Sequence, residues 1–114
     1  MGKLFRNKAR PGTLRGGTSA DLDHLADFVR TRDGVEAYLE PRTTVTDTTV
    51  LLVASSGEWT RRRVSGPDAA ASFTKKQGIP LYDAARVGYP QRMRDWSARQ
   101  KAGGVGPGLA ESAS

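Results

Sequence analysis

The sequence predicts an α+β fold, with a helix, a three-stranded antiparallel sheet, a second helix, a short strand or turn, and a C-terminal helix. Three observations lead to this prediction. Residues 19–33 place apolar side chains at helical spacing, residues 35–64 contain three segments with the alternation or apolar runs of strands, and residues 67–77 again favour a helix. The helices on either side of the strands are expected to cover one face of the sheet.

The chain has 114 residues and no cysteine. This length supports one domain, so we expect a single α+β domain at residues 18–101, a basic disordered tail at 1–17 and a flexible Gly/Ala/Ser tail at 102–114. Without cysteine the chain has no disulfides, thiolate metal sites or cysteine nucleophiles. The absence of cysteine fits a reducing cytoplasm. Since no apolar run is long enough to span a bilayer, we also predict a soluble protein without a membrane partner.

The first helix is predicted from Ser19 to about Asp33. Thr18 can cap its N-terminus, and Asp21, three residues later, completes a capping box. The apolar residues at i, i+3, i+4 and i+7 form one stripe that faces a core: Leu22, Leu25, Ala26 and Val29. Gly34 is placed to end the helix in a left-handed conformation.

Three strands are predicted between residues 35 and 64. The segment Val35–Glu40 alternates apolar and polar side chains, which is typical of a half-buried strand, and Pro41 ends it. The segment Thr49–Ala54 is apolar on both faces, so we expect it at the centre of the sheet. The segment Glu58–Val64 follows a tight turn that contains Gly57 and completes a hairpin.

The second helix is expected to begin at Pro67, because proline is favoured at the first helical position, and to end at Gly78. The segment Ile79–Asp83 predicts a short fourth strand or a turn. Its last residue can cap a single helical turn that runs to Val87.

The last helix is predicted from Pro90 to about Lys101. Tyr89, Met93 and Trp96 fall on one side of it. Their spacing favours docking of the helix on the domain, and an aromatic binding platform is the alternative.

Positive charge is concentrated at the two ends of the predicted domain. The formal net charge is +6, residues 1–18 carry five basic and no acidic side chains, and residues 86–101 carry five basic residues against one aspartate. Between them, residues 19–85 carry eight basic and ten acidic side chains. Basic flanks on a nearly neutral domain suit an anionic partner such as nucleic acid, and solubility is the plainer explanation.

Two clusters are candidate nucleic-acid-binding sites. On the third strand, Arg61 and Arg63 share a face with Trp59, so a base could stack on the ring while the guanidinium groups hold phosphates. The alternative is an exposed face on which Trp59 is covered by an arginine stem or by another element. On the last helix, Arg92 and Arg99 lie seven residues apart and therefore fall on one face.

No catalytic residue, metal site or cofactor is predicted. The single histidine, His24, lies mid-helix without a second ligand at helical spacing, and is expected to be an ordinary surface residue. No dinucleotide or phosphate-loop motif occurs in a suitable context, because the glycine-rich GGVGPG follows a helix and lacks the lysine of a phosphate loop.

The segments GVEAYLEPRTTVT, GEWTRRRV and GYPQRMRDW together resemble a family of short actinobacterial proteins, over residues 10–100. Members of that family are sometimes labelled oxidoreductases, so the resemblance implies a small enzyme as one possible function, with no catalytic residue that can be assigned. The order helix, three strands, helix is also similar to that of double-stranded RNA-binding domains. Those domains carry lysines at the start of the second helix, whereas Lys75 and Lys76 lie at its end here.

The sequence therefore predicts a non-catalytic protein that binds an anionic partner, RNA, DNA or a ribonucleoprotein. The candidate contacts are Trp59, Arg61, Arg63, Arg92 and Arg99. Two alternatives remain: a protein–protein adaptor anchored by Trp59 or Trp96, and the small enzyme implied by the resemblance.

Overall fold

A computed structural model describes residues 18–103, which contain four helices and four strands. The tail predicted at residues 1–17 and residues 104–114 of the tail predicted at 102–114 lie outside the described residues, whereas Ala102 and Gly103 belong to the last helix. No helix within residues 18–103 combines the length and apolar character needed to cross a membrane. In chain order the elements are α1 (Ser19–Thr31), β1 (Glu36–Glu40), β2 (Thr49–Val53), β3 (Trp59–Arg63), α2 (Pro67–Gln77), β4 (Leu81–Asp83), α3 (Ala84–Val87) and α4 (Gln91–Gly103).

The four strands form one mixed sheet in the order β3-β2-β1-β4. The pairs β1/β2 and β2/β3 are antiparallel, whereas β4 runs parallel to β1 and places Tyr82 opposite Tyr38. The predicted α+β class is confirmed, and the segment predicted as a short strand or turn is the fourth strand. Strand β2 occupies an interior position because it is apolar on both faces.

The capping box predicted for α1 is present, with Thr18 and Asp21 satisfying each other's backbone groups. The helix ends at Thr31, slightly earlier than predicted, because Arg32 adopts an extended conformation with φ −126°. Gly34 has φ +61° and lies in the turn between the end of α1 and the start of β1. Asp83 caps the single turn of α3, as predicted, by accepting a hydrogen bond from the backbone N–H of Ala85.

The main core lies between the sheet and helices α1 and α2, which cover the same face as predicted. Ten buried side chains form it, and Leu25, Val50 and Leu52 are fully excluded from solvent. Full burial of each such side chain stabilises the fold by roughly 1.5–3 kcal/mol. The complete set is Leu25, Phe28, Val35, Ala37, Val50, Leu52, Ala54, Val64, Ala70 and Phe73.

A second core lies on the opposite face of the sheet, under α3, α4 and the segment that joins them. Tyr38, Leu51 and Val53 are buried there, and Tyr89 and Met93 pack against them. Strand β1 is therefore covered on both faces. Its alternating pattern predicted exposure of one face, and that inference was wrong because α3, α4 and the segment that joins them supply the cover.

Helix α4 is seated on the β2–β3 turn at Gly57. This glycine has φ +98°, and a Cβ atom added to it would lie 2.1 Å from the carbonyl oxygen of Arg92 and 2.8 Å from Cβ of Trp96. Both the backbone conformation and the close approach of α4 therefore require glycine here. Trp96 lies over the turn, half-buried, as part of this contact.

Candidate nucleic-acid interface

Strand β3 is an outer strand of the sheet, and its C-terminal half carries three consecutive arginines. The side chains of Arg61, Arg62 and Arg63 are 42%, 42% and 56% exposed. Since side chains alternate along a strand, Arg61 and Arg63 lie on the face that carries α4, and Arg62 lies on the face that carries α1. We call these three residues the arginine strand.

The outer edge of β3 also presents backbone groups. Ala54 N–H donates to the carbonyl oxygen of Glu58 and Val64 N–H donates to that of Thr48, so the even-numbered residues of this segment bond to β2. In an antiparallel ladder the intervening residues point the other way. The N–H and C=O groups of Arg61 and Arg63 are therefore directed away from the sheet, beside their own guanidinium groups.

An open groove of about 640 Å³ follows this edge. All five residues of β3 line it, together with Asp21 from α1 and Thr49 from β2. Guanidinium groups from both sheet faces and outward-facing backbone amides thus lie along one open groove. Such a surface offers several hydrogen-bond donors to a phosphate group.

Arg61 is the most firmly held of the three arginines. Its Nε and Nη2 atoms donate to Oε1 and Oε2 of Glu40 at 2.7 and 2.9 Å. Thr49 and Tyr89 donate their hydroxyl groups to the same carboxylate. Burial alone would raise the pKa of Glu40, but these hydrogen bonds outweigh it and lower that pKa below its ordinary value. The same partner raises the pKa of Arg61.

Arg62 and Arg63 make longer ion pairs. Arg62 Nη1 lies 3.3 Å from Oδ1 of Asp21, and Arg63 Nη1 lies 3.6 Å from Oδ2 of Asp47. The pKa of Asp21 is lowered, first by the backbone N–H of Thr18 in the capping box and to a smaller extent by Arg62. Each of these arginines retains guanidinium N–H groups beyond those directed at its carboxylate.

Trp59 is half-buried and contributes to the docking of α4. Its Nε1–H donates to Oγ of Ser97 at 2.9 Å, and the guanidinium carbon of Arg61 lies 5.3 Å from the centre of its ring. The structure thus shows both kinds of cover that the sequence left open, an arginine and another element. The ring is occupied by contacts within the chain.

The two candidate arginines of α4 lie near the opposite end of β3 from Arg63. Arg92 donates to the carbonyl oxygens of Ala54 and Val53 at 2.9 and 3.3 Å and to Oε1 of Glu36 at 2.9 Å, so its donors fasten α4 to the sheet. Arg99 is exposed, and its Nη2 atom lies 3.4 Å from the carbonyl oxygen of Ser56. The structure brings Trp59, Arg61 and Arg63 together, while Arg92 and Arg99 form a separate group.

Two residues near this interface make contacts that the sequence did not predict. Asp21 was expected to complete the capping box, and its ion pair with Arg62, across 41 positions of the chain, was not predicted. His24 was expected at the surface, but it is half-buried, and its Nε2 lies 2.6 Å from Oγ1 of Thr60. No local pattern signals either contact, because each joins α1 to β3. Within residues 18–103, no three acidic or histidine side chains come together as a metal site would require.

In the comparisons with known proteins, no family model, no curated protein and no solved structure matches this chain.

Proposed function

We propose that this chain is a non-catalytic, cytoplasmic protein that binds nucleic acid through its phosphate backbone. The observation that carries the proposal is the arginine strand, where three consecutive guanidinium groups lie along an outer sheet edge and line one groove with outward-facing backbone amides. Arg61 and Arg63 point to the same face, and two residues of strand separate their Cα atoms by about 6.6 Å. This spacing is close to that of successive phosphates in an extended single strand.

The basic N-terminal segment joins the domain beside this groove. Residues 1–17 carry five lysine and arginine side chains and no acidic residue. They are connected to Thr18, which is hydrogen-bonded to Asp21, and Asp21 in turn pairs with Arg62. The largest local excess of charge in the sequence therefore begins next to the arginine strand, and the two can act on one polyanion.

The acidic partners of Arg62 and Arg63 do not prevent phosphate binding. In both pairs the arginine is exposed, and its carboxylate partner is less so. Ion pairs at the protein surface contribute about 0–1 kcal/mol, because water screens them and both side chains lose freedom. A phosphate can therefore replace or share such a carboxylate at small cost, and the release of counterions from the polyanion favours the exchange. Arg61 is held more firmly than Arg62 and Arg63, because its partner Glu40 is also bound by Thr49 and Tyr89. We therefore assign Arg61 a second role, positioning strand β3, in addition to phosphate binding.

The two alternative functions, a protein–protein adaptor and a small enzyme, have no comparable support among the described residues. Both anchors of the adaptor hypothesis, Trp59 and Trp96, are half-buried in the contact between α4 and the sheet. The oxidoreductase activity implied by the resemblance stays a prediction, to be checked by an absorbance spectrum of the purified protein for flavin or nicotinamide.

The proposal is tested by measuring the affinity of the full chain for a fluorescently labelled single-stranded ten-nucleotide oligomer over a range of salt concentrations. The double variant Arg62→Gln/Arg63→Gln removes the two loosely paired arginines and leaves the Glu40 contacts in place. Each phosphate contact contributes about 0.7 to the slope of log K against log salt, so this variant should lower the slope by about 1.4.

The matched control is Lys75→Gln/Lys76→Gln, which removes the same charge from exposed positions of α2. This helix packs against β1 and β4, away from the arginine strand. The control should retain the slope of the unmodified protein. Equal losses of slope in the two variants would mean that net charge alone drives binding, and absence of binding at low salt would overturn the proposed function.

A further inference from the structure

All three tyrosines of the sequence line one small cavity. The cavity has a volume of about 240 Å³ and lies between β1, β4 and the segment that joins α3 to α4. Tyr38 comes from β1, Tyr82 from β4 and Tyr89 from the joining segment. Because Tyr38 lies more than forty positions before the other two tyrosines, the fold alone brings its ring beside theirs. The cavity is smaller than the roughly 300–1,000 Å³ of drug-sized sites and suits a single ring system.

Two rings of this cavity are arranged so that one supports the other. The ring centres of Tyr38 and Tyr82 are 5.4 Å apart with an interplanar angle of 36°. Tyr38 is buried at 5% exposure, whereas Tyr82 is 38% exposed. Next to them, Val87 is 59% exposed. Tyr82 and Val87 are thus accessible apolar surfaces on a rigid base.

The polar group of the cavity is the carboxylate of Glu36. The Tyr38 hydroxyl and Nη2 of Arg92 both donate to its Oε1 atom, at 3.1 and 2.9 Å. Its Oε2 atom accepts no hydrogen bond from any residue between 18 and 103. The cavity therefore combines an accessible aromatic surface with a carboxylate oxygen that can accept from a ligand's N–H group.

We propose that this tyrosine cavity holds one unstacked nucleobase of a bound single strand. Tyr82 provides the stacking surface, and Oε2 of Glu36 accepts a hydrogen bond from an exocyclic amino group, as carboxylates do from cytosine. A flat aromatic ring that carries N–H donors satisfies both features of the cavity. A proline ring, the other ligand that aromatic grooves commonly hold, has no N–H to offer to Glu36.

The inference rests on the proposed function and extends it from phosphates to a base. Strands β3 and β4 are the two outer strands of the sheet, so about 14 Å, three interstrand spacings, separates the arginine strand from the cavity. A single strand of several nucleotides spans that distance. Arg86, exposed on α3 one residue before Val87, is available to a phosphate on that side.

The test compares two labelled decamers with the same number of phosphates, an oligodeoxycytidylate and an abasic oligomer, on the full 114-residue chain. We expect the cytidylate to bind about ten-fold more tightly, which is within the range for stacking one base. Tyr82→Phe, which retains the ring, should keep this preference, and Tyr82→Leu, which retains an apolar side chain without the ring, should abolish it. Arg62→Gln/Arg63→Gln should weaken binding of both decamers equally.

The outcomes separate the two proposals. Equal affinity of the unmodified chain for both decamers would overturn the base site and leave phosphate binding intact. Failure of both decamers to bind would overturn the proposed function, and the base site with it. If Tyr82→Leu loses its fold by circular dichroism, the preference of the unmodified chain and of Tyr82→Phe decides the question. Displacement of the cytidylate from Tyr82 by an oligoproline peptide would also overturn the base site.

Discussion

Replacement of Gly57 by alanine tests whether α4 depends on a close approach to the β2–β3 turn. The new Cβ would lie 2.1 Å from the carbonyl oxygen of Arg92, so the helix or the turn must move by about an ångström to reach normal contact. The left-handed backbone, φ +98°, adds about 1–2 kcal/mol. Overpacking of this kind costs about 1–3 kcal/mol, so we expect a total loss of about 2–5 kcal/mol in the free energy of unfolding.

Gly78→Ala is the matched control. Gly78 also has a positive φ, +71°, but a Cβ there meets no atom within 4 Å. Only the conformational cost of about 1–2 kcal/mol applies to it. The difference between the two variants therefore measures the contact with α4 and not the special backbone conformation.

Chemical denaturation followed by tryptophan fluorescence is the appropriate assay, because Trp59 and Trp96 both lie in the contact between α4 and the sheet. Gly57→Ala should lower the unfolding free energy more than Gly78→Ala and should change the fluorescence of the native protein. Equal losses in the two variants with unchanged native fluorescence would refute the reasoning, since they would show that α4 does not rest on the turn.

Two further predictions concern polar contacts. Glu40 has a lowered pKa, so its contribution to stability is present above about pH 4.5 and is lost as the pH falls through its pKa in the folded state. Glu40→Gln should therefore lower the free energy of unfolding by about 1–3 kcal/mol at pH 7, and the variant should lose less stability on acidification than the unmodified protein. Chemical denaturation at several pH values measures both effects. An unchanged dependence of the unfolding free energy on pH would contradict this prediction. Thr18→Ala removes the capping box and should lower the free energy of unfolding by about 1 kcal/mol, whereas Thr18→Ser should lower it less. Thermal denaturation compares the two variants, and equal melting temperatures would contradict the capping role.

The local elements of this fold could be predicted because their signals are local. The capping box at Thr18, the proline that starts α2 and the aspartate that caps α3 each act within a few residues. The apolar pattern of β2 likewise indicated an interior strand, since a strand covered on both faces needs apolar side chains on both. These features require no knowledge of which elements meet.

The second layer of helix was harder to predict. Helix α4 has no fully buried residue, and it contributes Met93 to the second core, whereas Tyr89 comes from the segment before the helix. The apolar stripe of α4 is therefore short. The polar residues of β1 that faced it in the sequence pattern, Glu36 and Glu40, are partners for arginines from α4 and β3. An alternating strand therefore indicated an exposed face where the structure has a polar contact layer.

The candidate site was predicted in part. The sequence located the arginine strand, because consecutive arginines on a predicted strand are visible without a structure. It could not show that Arg92 turns inward, nor that Tyr38, Tyr82 and Tyr89 converge, because both depend on how α4 and β4 pack on β1. Ion pairs such as Arg62–Asp21 link distant positions and leave no periodic signal in the sequence.

Chemical-shift mapping of the full chain by NMR, during titration with a single-stranded oligodeoxycytidylate at low salt, tests nucleic-acid binding at the arginine strand most directly. We predict that the largest backbone shifts fall on Arg61, Arg62 and Arg63 and on the basic residues before Thr18, and that raising the salt concentration reverses them. Shifts confined to α2, or a spectrum that does not change with added oligomer, would contradict the proposed interface.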